Sequence, residues 1–261
     1  MIGSFLRAFR GEWLKRKRSS ASLFVVAGSL FTPAVVAGVR LMYPRALPGI
    51  YAADRFWQNL WHSSWESMAI FFLPMGAILI TSLVAQIEFR SNAWKQVHTL
   101  PVHSGVIFLA KLAVVLVMMA GFLLLFNAGL YVSAMIPALA VPGVPRPKGE
   151  FASLPLFRAN ALYLLDCLPI VAAQYLMALR SANVLAPIGA GFLAWVVALA
   201  DLSSPLARYW PYNYTIIQYL RETPKGAHFA AHGELHALAL AWFVLITIAG
   251  YFLFLTKSEK G

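Results

Sequence analysis

The chain predicts an all-α membrane protein: about six transmembrane helices behind an N-terminal amphipathic helix. Three observations lead there. Hydrophobic residues make up 60% of the 261 residues and charged residues only 12%, against roughly half and a quarter in soluble domains. The apolar residues fall in long continuous runs, and about 20 such residues are needed to cross roughly 30 Å of hydrocarbon. Six runs of that kind leave short connections, so the chain reads as one membrane domain over 1–261 with no separate soluble unit. Barrel strands would instead show alternating segments of about 10 residues.

Residues 2–18 read as an amphipathic helix. Ile2, Phe5, Leu6, Phe9 and Trp13 share one face, and Arg7, Arg10, Lys15, Arg16, Lys17 and Arg18 occupy the rest or its end. Such a helix lies in the head-group plane. Span 1 is expected over about 22–42, too long for the apolar core of a cleaved leader. The connection 43–64 carries Trp57 and Trp61, with Trp65 just beyond, four residues apart, which reads as an interfacial aromatic belt. Span 2 follows at about 65–86, with Pro74 and Gly76 as kink points. Span 3 covers about 106–136. A Pro/Gly-rich loop over 138–155 leads to span 4, about 156–179. A tight turn at Arg180–Asn183 leads to span 5, about 184–200. Residues 201–234 are polar and aromatic, and span 6 covers about 235–256.

The net charge of +11 does not point to nucleic acid, because the cations sit at helix ends, where they set topology and meet anionic head groups. With a cytoplasmic N-terminus, the segments 1–21, 87–111, the Arg180 turn and the tail hold 12 of the 21 Lys and Arg but 3 of the 10 acids. Both termini are then cytoplasmic. The single cysteine, Cys167, sits in an apolar run and excludes an internal disulfide.

No phosphate-binding loop, G-x-S-x-G, HExxH or paired CxxC occurs, so ATP hydrolysis is not expected in this chain. Three places could carry chemistry. Asp166 lies midway along span 4, three residues before Pro169. Intramembrane acids are costly and functional by default; the alternative is an acid satisfied by a polar neighbour such as Gln174 or Asn127. His228, His232 and His236 are spaced four apart, with Glu234 among them, as helical metal ligands are. Gly226 and Gly233 interrupt that helix, and an interfacial role is the plainer reading. Finally, Glu88 to Ser104 is too polar for lipid and too long for a hairpin turn. It reads as a short surface helix, about 90–99, stopped before Pro101. Trp94, Val97 and Leu100 suit a protein contact, and Arg90 and Lys95 suit head groups.

At these residues the chain resembles the membrane subunits of ATP-binding-cassette exporters of the second type, and within them the lantibiotic-immunity and bacitracin-resistance permeases. The likeness rests on Gly11-Glu12-Trp13-Leu14-Lys15 ahead of a basic run, on Glu88, Trp94-Lys95 and Leu100-Pro101 before Lys111 at the start of span 3, and on six spans with a long segment before the last. The resemblance implies that residues 2–18 are an elbow helix. It implies that Glu88, Arg90, Trp94, Lys95, Val97 and Leu100 belong to a coupling helix on a separate cytoplasmic ATPase. Two permease chains, identical or homologous, would pair in a bacterial cytoplasmic membrane. The chain itself would need no cofactor, ATP and Mg being held by the partner. The substrate would be an amphipathic peptide, an antibiotic or a lipid-like molecule, giving antimicrobial peptide resistance. Residues 201–234 would form short re-entrant or surface helices. The His series departs from the pattern. Two rivals stand beside this reading: a metal-dependent membrane enzyme using the His series, and an ion-coupled transporter using Asp166.

Overall fold

A computed structural model describes residues 2–87, 103–151, 153–223 and 234–255. Among them there are helices and turns and no strand. The helices are α1 (Ile2–Lys15), α2 (Ala21–Met42), α3 (Leu47–Ala52), α4 (Phe56–Ser67), α5 (Leu73–Ala85), α6 (Ser104–Ala140), α7 (Leu154–Arg180), α8 (Leu185–Ala200), α9 (Tyr214–Arg221) and α10 (Leu235–Leu255). Five stretches are long and apolar enough to cross a membrane: Ala21–Met42, Phe56–Ala85, Ser104–Ala140, Pro155–Arg180 and Leu235–Leu255. The fifth expected span, α8, has 16 residues. At 1.5 Å per residue it is about 24 Å long, short of a full hydrocarbon core. The expected six spans therefore become five long crossings and one short apolar helix.

The second crossing begins nine residues earlier than its composition suggests. Its first half, α4, carries Gln58, Asn59, His62, Ser63 and Ser64, which read as a connection. The tryptophans there are not an interfacial belt. Spacing of four puts them on one helix face, and that face turns inward. Trp65 is fully buried, its ring 3.9 Å from that of Tyr163 and edge-on to Phe126. Trp57 stacks on Tyr131 and touches Phe151.

Between α4 and α5 the backbone makes a π-helical turn, Met68–Phe72. Its position follows from Pro74, which has no N–H to give to the carbonyl of Ile70, four residues back. That carbonyl is satisfied from another helix: Trp195 Nε1 on α8 donates to it at 2.8 Å. A proline defect in one crossing thus becomes a joint to another.

The core sits where α2, α5, α6 and α7 meet. Small residues bring the helices together, as membrane packing requires. The buried Phe122 ring of α6 rests where Gly28 of α2 and Gly76 of α5 have no side chain; a Cβ there would lie 2.9 and 3.2 Å from the ring. Gly129 of α6 meets Leu30 and Pro33 of α2 in the same way. Gln86, just after α5, donates to the carbonyls of Ala178 and Ser181 at 3.1 and 2.5 Å. This ties the end of α5 to the end of α7. That end of the bundle, where α1 and the start of α6 also lie, is the terminal end; the other carries 43–55 and 141–153 and is the loop end.

After α8 the chain turns back into the bundle. Trp210 Nε1 donates to the carbonyl of Ala194, midway along α8. Tyr212 reaches Gln174, six residues (about 9 Å) from the end of α7. From there α9 runs towards the loop end, its Tyr214, Thr215, Ile216 and Ile217 buried against α7 and the π-turn.

Candidate functional site

Most of the buried polar chemistry is organised by α7. Tyr163, Asp166, Ile170, Gln174, Tyr175 and Ala178 recur at three- and four-residue intervals and are all buried. This is the inward stripe of a helix, here interrupted by polar groups. Each of them is met from a different element.

Asp166 is 0% exposed, and its Oδ1 lies 2.8 Å from Nδ1 of His236 in the first turn of α10. Its partner is therefore neither Gln174 nor Asn127, the neighbours that sequence reasoning offered. Gln174 sits further along α7, Asn127 sits on α6, and both are bound to others. Gln174 accepts from Ser82 at 3.3 Å and donates to the Tyr212 hydroxyl at 2.9 Å. Asn127 of α6 donates to Asn160 of α7 at 2.8 Å. The physical reason is depth: Gln174 is eight residues, roughly 12 Å, further along the helix than Asp166. His236 is at hand because α10 starts inside the bundle, at the level of Asp166. The second oxygen, Oδ2, has no protein partner among the described residues. One oxygen of this buried acid is bound and the other is open, which is costly in a low-dielectric setting.

His236 is thus engaged with an acid. His228 and His232 lie outside the described residues. Among the described residues no group of three His, Cys, Asp or Glu could hold a metal. Cys167 is buried, its Sγ against the carbonyl of Leu73.

A second charged site lies at the terminal end. Lys111, two turns into α6 and 2% exposed, donates to Glu12 of α1 at 2.6 Å. The other oxygen of Glu12 accepts from Lys15. Glu12 is itself 4% exposed. One carboxylate therefore clamps the amphipathic helix onto the crossing that follows residues 88–102. Phe9 and Trp13 pack against the core beside it, and Arg16 lies over the Trp13 ring at 3.8 Å. Glu12 and Lys111 both stand in the sequence pattern described above, 99 residues apart; their pairing had no signal there. Glu88, Arg90, Trp94, Lys95, Val97 and Leu100 lie outside the described residues.

At the loop end a cavity of about 750 Å³ opens between the start of α4, the start of α7 and the end of α9. Sequence reasoning missed it, since its polar residues read as connections. Glu222 stands at its edge. Burial raises the Glu222 carboxyl above the ordinary range, with His62, Gln218, Tyr163 and Arg221 pulling it back.

A bundle with five helices long and apolar enough to cross a membrane, and with a buried acid–imidazole pair among them, is that of a multi-pass membrane protein. Residues 8–198 match the profile of the ABC-2 family transporter protein family. That is well over half of the chain, and the chain belongs to this family: it is a transport subunit, an ABC transporter permease, and not itself an enzyme. No curated protein matches it significantly.

Proposed function

We propose that this chain is the permease of an ATP-driven exporter, working as a pair of permease chains with a separate cytoplasmic ATPase that holds ATP and Mg. The segment about 90–100 is the docking element, with Glu88, Arg90, Trp94, Lys95, Val97 and Leu100 at the contact. The substrate class is an amphipathic peptide, antibiotic or lipid-like molecule, as in the lantibiotic-immunity and bacitracin-resistance permeases. The membrane is a bacterial cytoplasmic one, with both termini cytoplasmic and the loop end outside, because the basic residues gather at the terminal end.

The observation that carries the reading is the Glu12–Lys111 clamp. Residues 88–102 connect α5 directly to α6, and the clamp makes α1 and the start of α6 move as one body. A push on 88–102 would be passed to two crossings and the surface helix together, which is what a rigid-body gate needs. The metal-enzyme alternative gains no support, because His236 faces Asp166 rather than a ligand set.

The test is co-purification followed by coupling. A stoichiometric ATPase should accompany the chain in mild detergent. In proteoliposomes, Trp94→Ala, or charge reversal at Arg90 and Lys95, should leave ATP hydrolysis but abolish transport. Normal transport by those variants removes the docking assignment, and recovery of the chain alone removes the exporter reading.

A further inference from the structure

Two cavities at the loop end share a wall. The first is the 750 Å³ cavity, whose lining includes the aromatic groups Trp57, Trp61, His62 and Phe151. Its charged lining is Arg55, Glu150 and Glu222, an excess of one negative charge. The second, about 310 Å³, lies between α6 and α7. It is apolar, bounded by residues such as Leu123, Leu124, Phe157 and Leu164, with the Asn127–Asn160 pair as its polar feature. Phe151 and Leu156 line both. Both volumes fall in the range that holds small molecules.

The shared wall is built rather than incidental. Trp57 Nε1 donates to the carbonyl of Gly149 at 3.2 Å, and its ring meets Phe151 with centroids 5.0 Å apart. Gly149 itself has φ +81°, a conformation that a side chain would strain. The loop preceding α7 is thereby pinned so that Phe151 divides a polar chamber from an oily one.

We infer that the two chambers form one binding site for an amphiphile with an ammonium-bearing head. Its chain lies in the α6–α7 chamber. Its head lies in the polar chamber, among Trp57, Trp61 and the carboxylates of Glu150 and Glu222. Aromatic faces and carboxylates together select an ammonium over a sulfate. In the orientation proposed above, the site is loaded from the outer leaflet. Its use in transport rests on the exporter reading; the binding does not, so it is tested without an ATPase.

The probe is dodecyltrimethylammonium carrying a diazirine near the end of its chain, added to the full-length permease in nanodiscs and mapped by mass spectrometry. Labels should fall on 120–128 and 156–164. Unlabelled dodecyltrimethylammonium and dodecylphosphocholine should compete, while dodecyl sulfate and dodecyl maltoside should not. Glu150→Gln with Glu222→Gln should weaken labelling about tenfold, the worth of a desolvated cation contact. Ala161→Phe, a change on the exposed side of α7, should block labelling by filling the apolar chamber. Equal competition by all four heads, or unchanged labelling in the Gln variants, would show a groove that holds bulk lipid only and overturn the inference. Transport that fails while head-selective labelling persists would instead count against the exporter reading alone.

Discussion

Trp195→Phe isolates the joint between α8 and the second crossing. The substitution keeps an aromatic body against Phe71 and Phe192 and removes the one N–H that the Ile70 carbonyl receives from α8. Interhelical hydrogen bonds in membranes average about 0.6 kcal/mol and reach about 1.7 in double-mutant cycles. The low average arises because most groups find another partner when one is lost. The Ile70 carbonyl has no α-helical donor to fall back on, since residue 74 is proline. Its bond therefore belongs near the upper limit, about 1.5 kcal/mol. At roughly 2–4 °C per kcal/mol in chains of about this size, Trp195→Phe should lower the thermal midpoint in nanodiscs by some 3–6 °C, plus a smaller packing loss. The control is Pro74→Ala, which restores the backbone donor. In that background Trp195→Phe should cost only the packing loss. Equal costs in the two backgrounds, within the ~0.5 kcal/mol expected of independent sites, would refute the reasoning.

Other perturbations test the charged sites. His236→Ala strands Asp166 in the bundle and should cost about 3–5 kcal/mol, whereas the apolar pair Asp166→Leu with His236→Leu should recover most of it; steric-trap unfolding measures both, and a double variant as damaged as the single would sink the pairing. Glu12→Ala removes the carboxylate shared by Lys15 and Lys111, so trypsin should cut the Lys15–Arg18 region several-fold faster in intact proteoliposomes. An unchanged cleavage rate would mean that α1 is held by Phe9 and Trp13 alone. Glu222 binds its proton more tightly folded than unfolded, so its contribution is favourable below the carboxylate range and is lost as pH rises through its raised value. Glu222→Gln should therefore gain stability relative to the parent as pH rises from about 4, by less than about 1 kcal/mol because water screens the group; thermal midpoints should show a difference that grows with pH and then levels off, and a flat or inverted trend would remove the assignment.

The crossings were legible because their apolar runs are sustained: α2, α7 and α10 begin and end within two residues of the expected bounds. The start of α4 was not, because Gln58, Asn59 and His62 read as loop while they line a polar cavity. A polar face turned to a cavity and a polar loop have the same composition. The spacing of the tryptophans by four was visible, but nothing in a single sequence says whether they meet head groups or Tyr163. Asp166 stood out as a charge inside a span. Its partner lay 70 residues away, at the first turn of another helix. Span 6 was expected to begin at the membrane surface, so nothing in the sequence put His236 at the level of Asp166.

The return of the chain after α8 also fixes an order of assembly. Tyr212 and Asn213 on a short turn, and Thr215 and Gln218 on the two-turn helix α9, are buried polar residues that no lipid could solvate alone. Gln174, which receives Tyr212, is presented only once α5 and α7 are side by side. The long apolar helices must therefore insert and pair first, and residues 201–221 enter the finished bundle last, as a plug seated from the loop end.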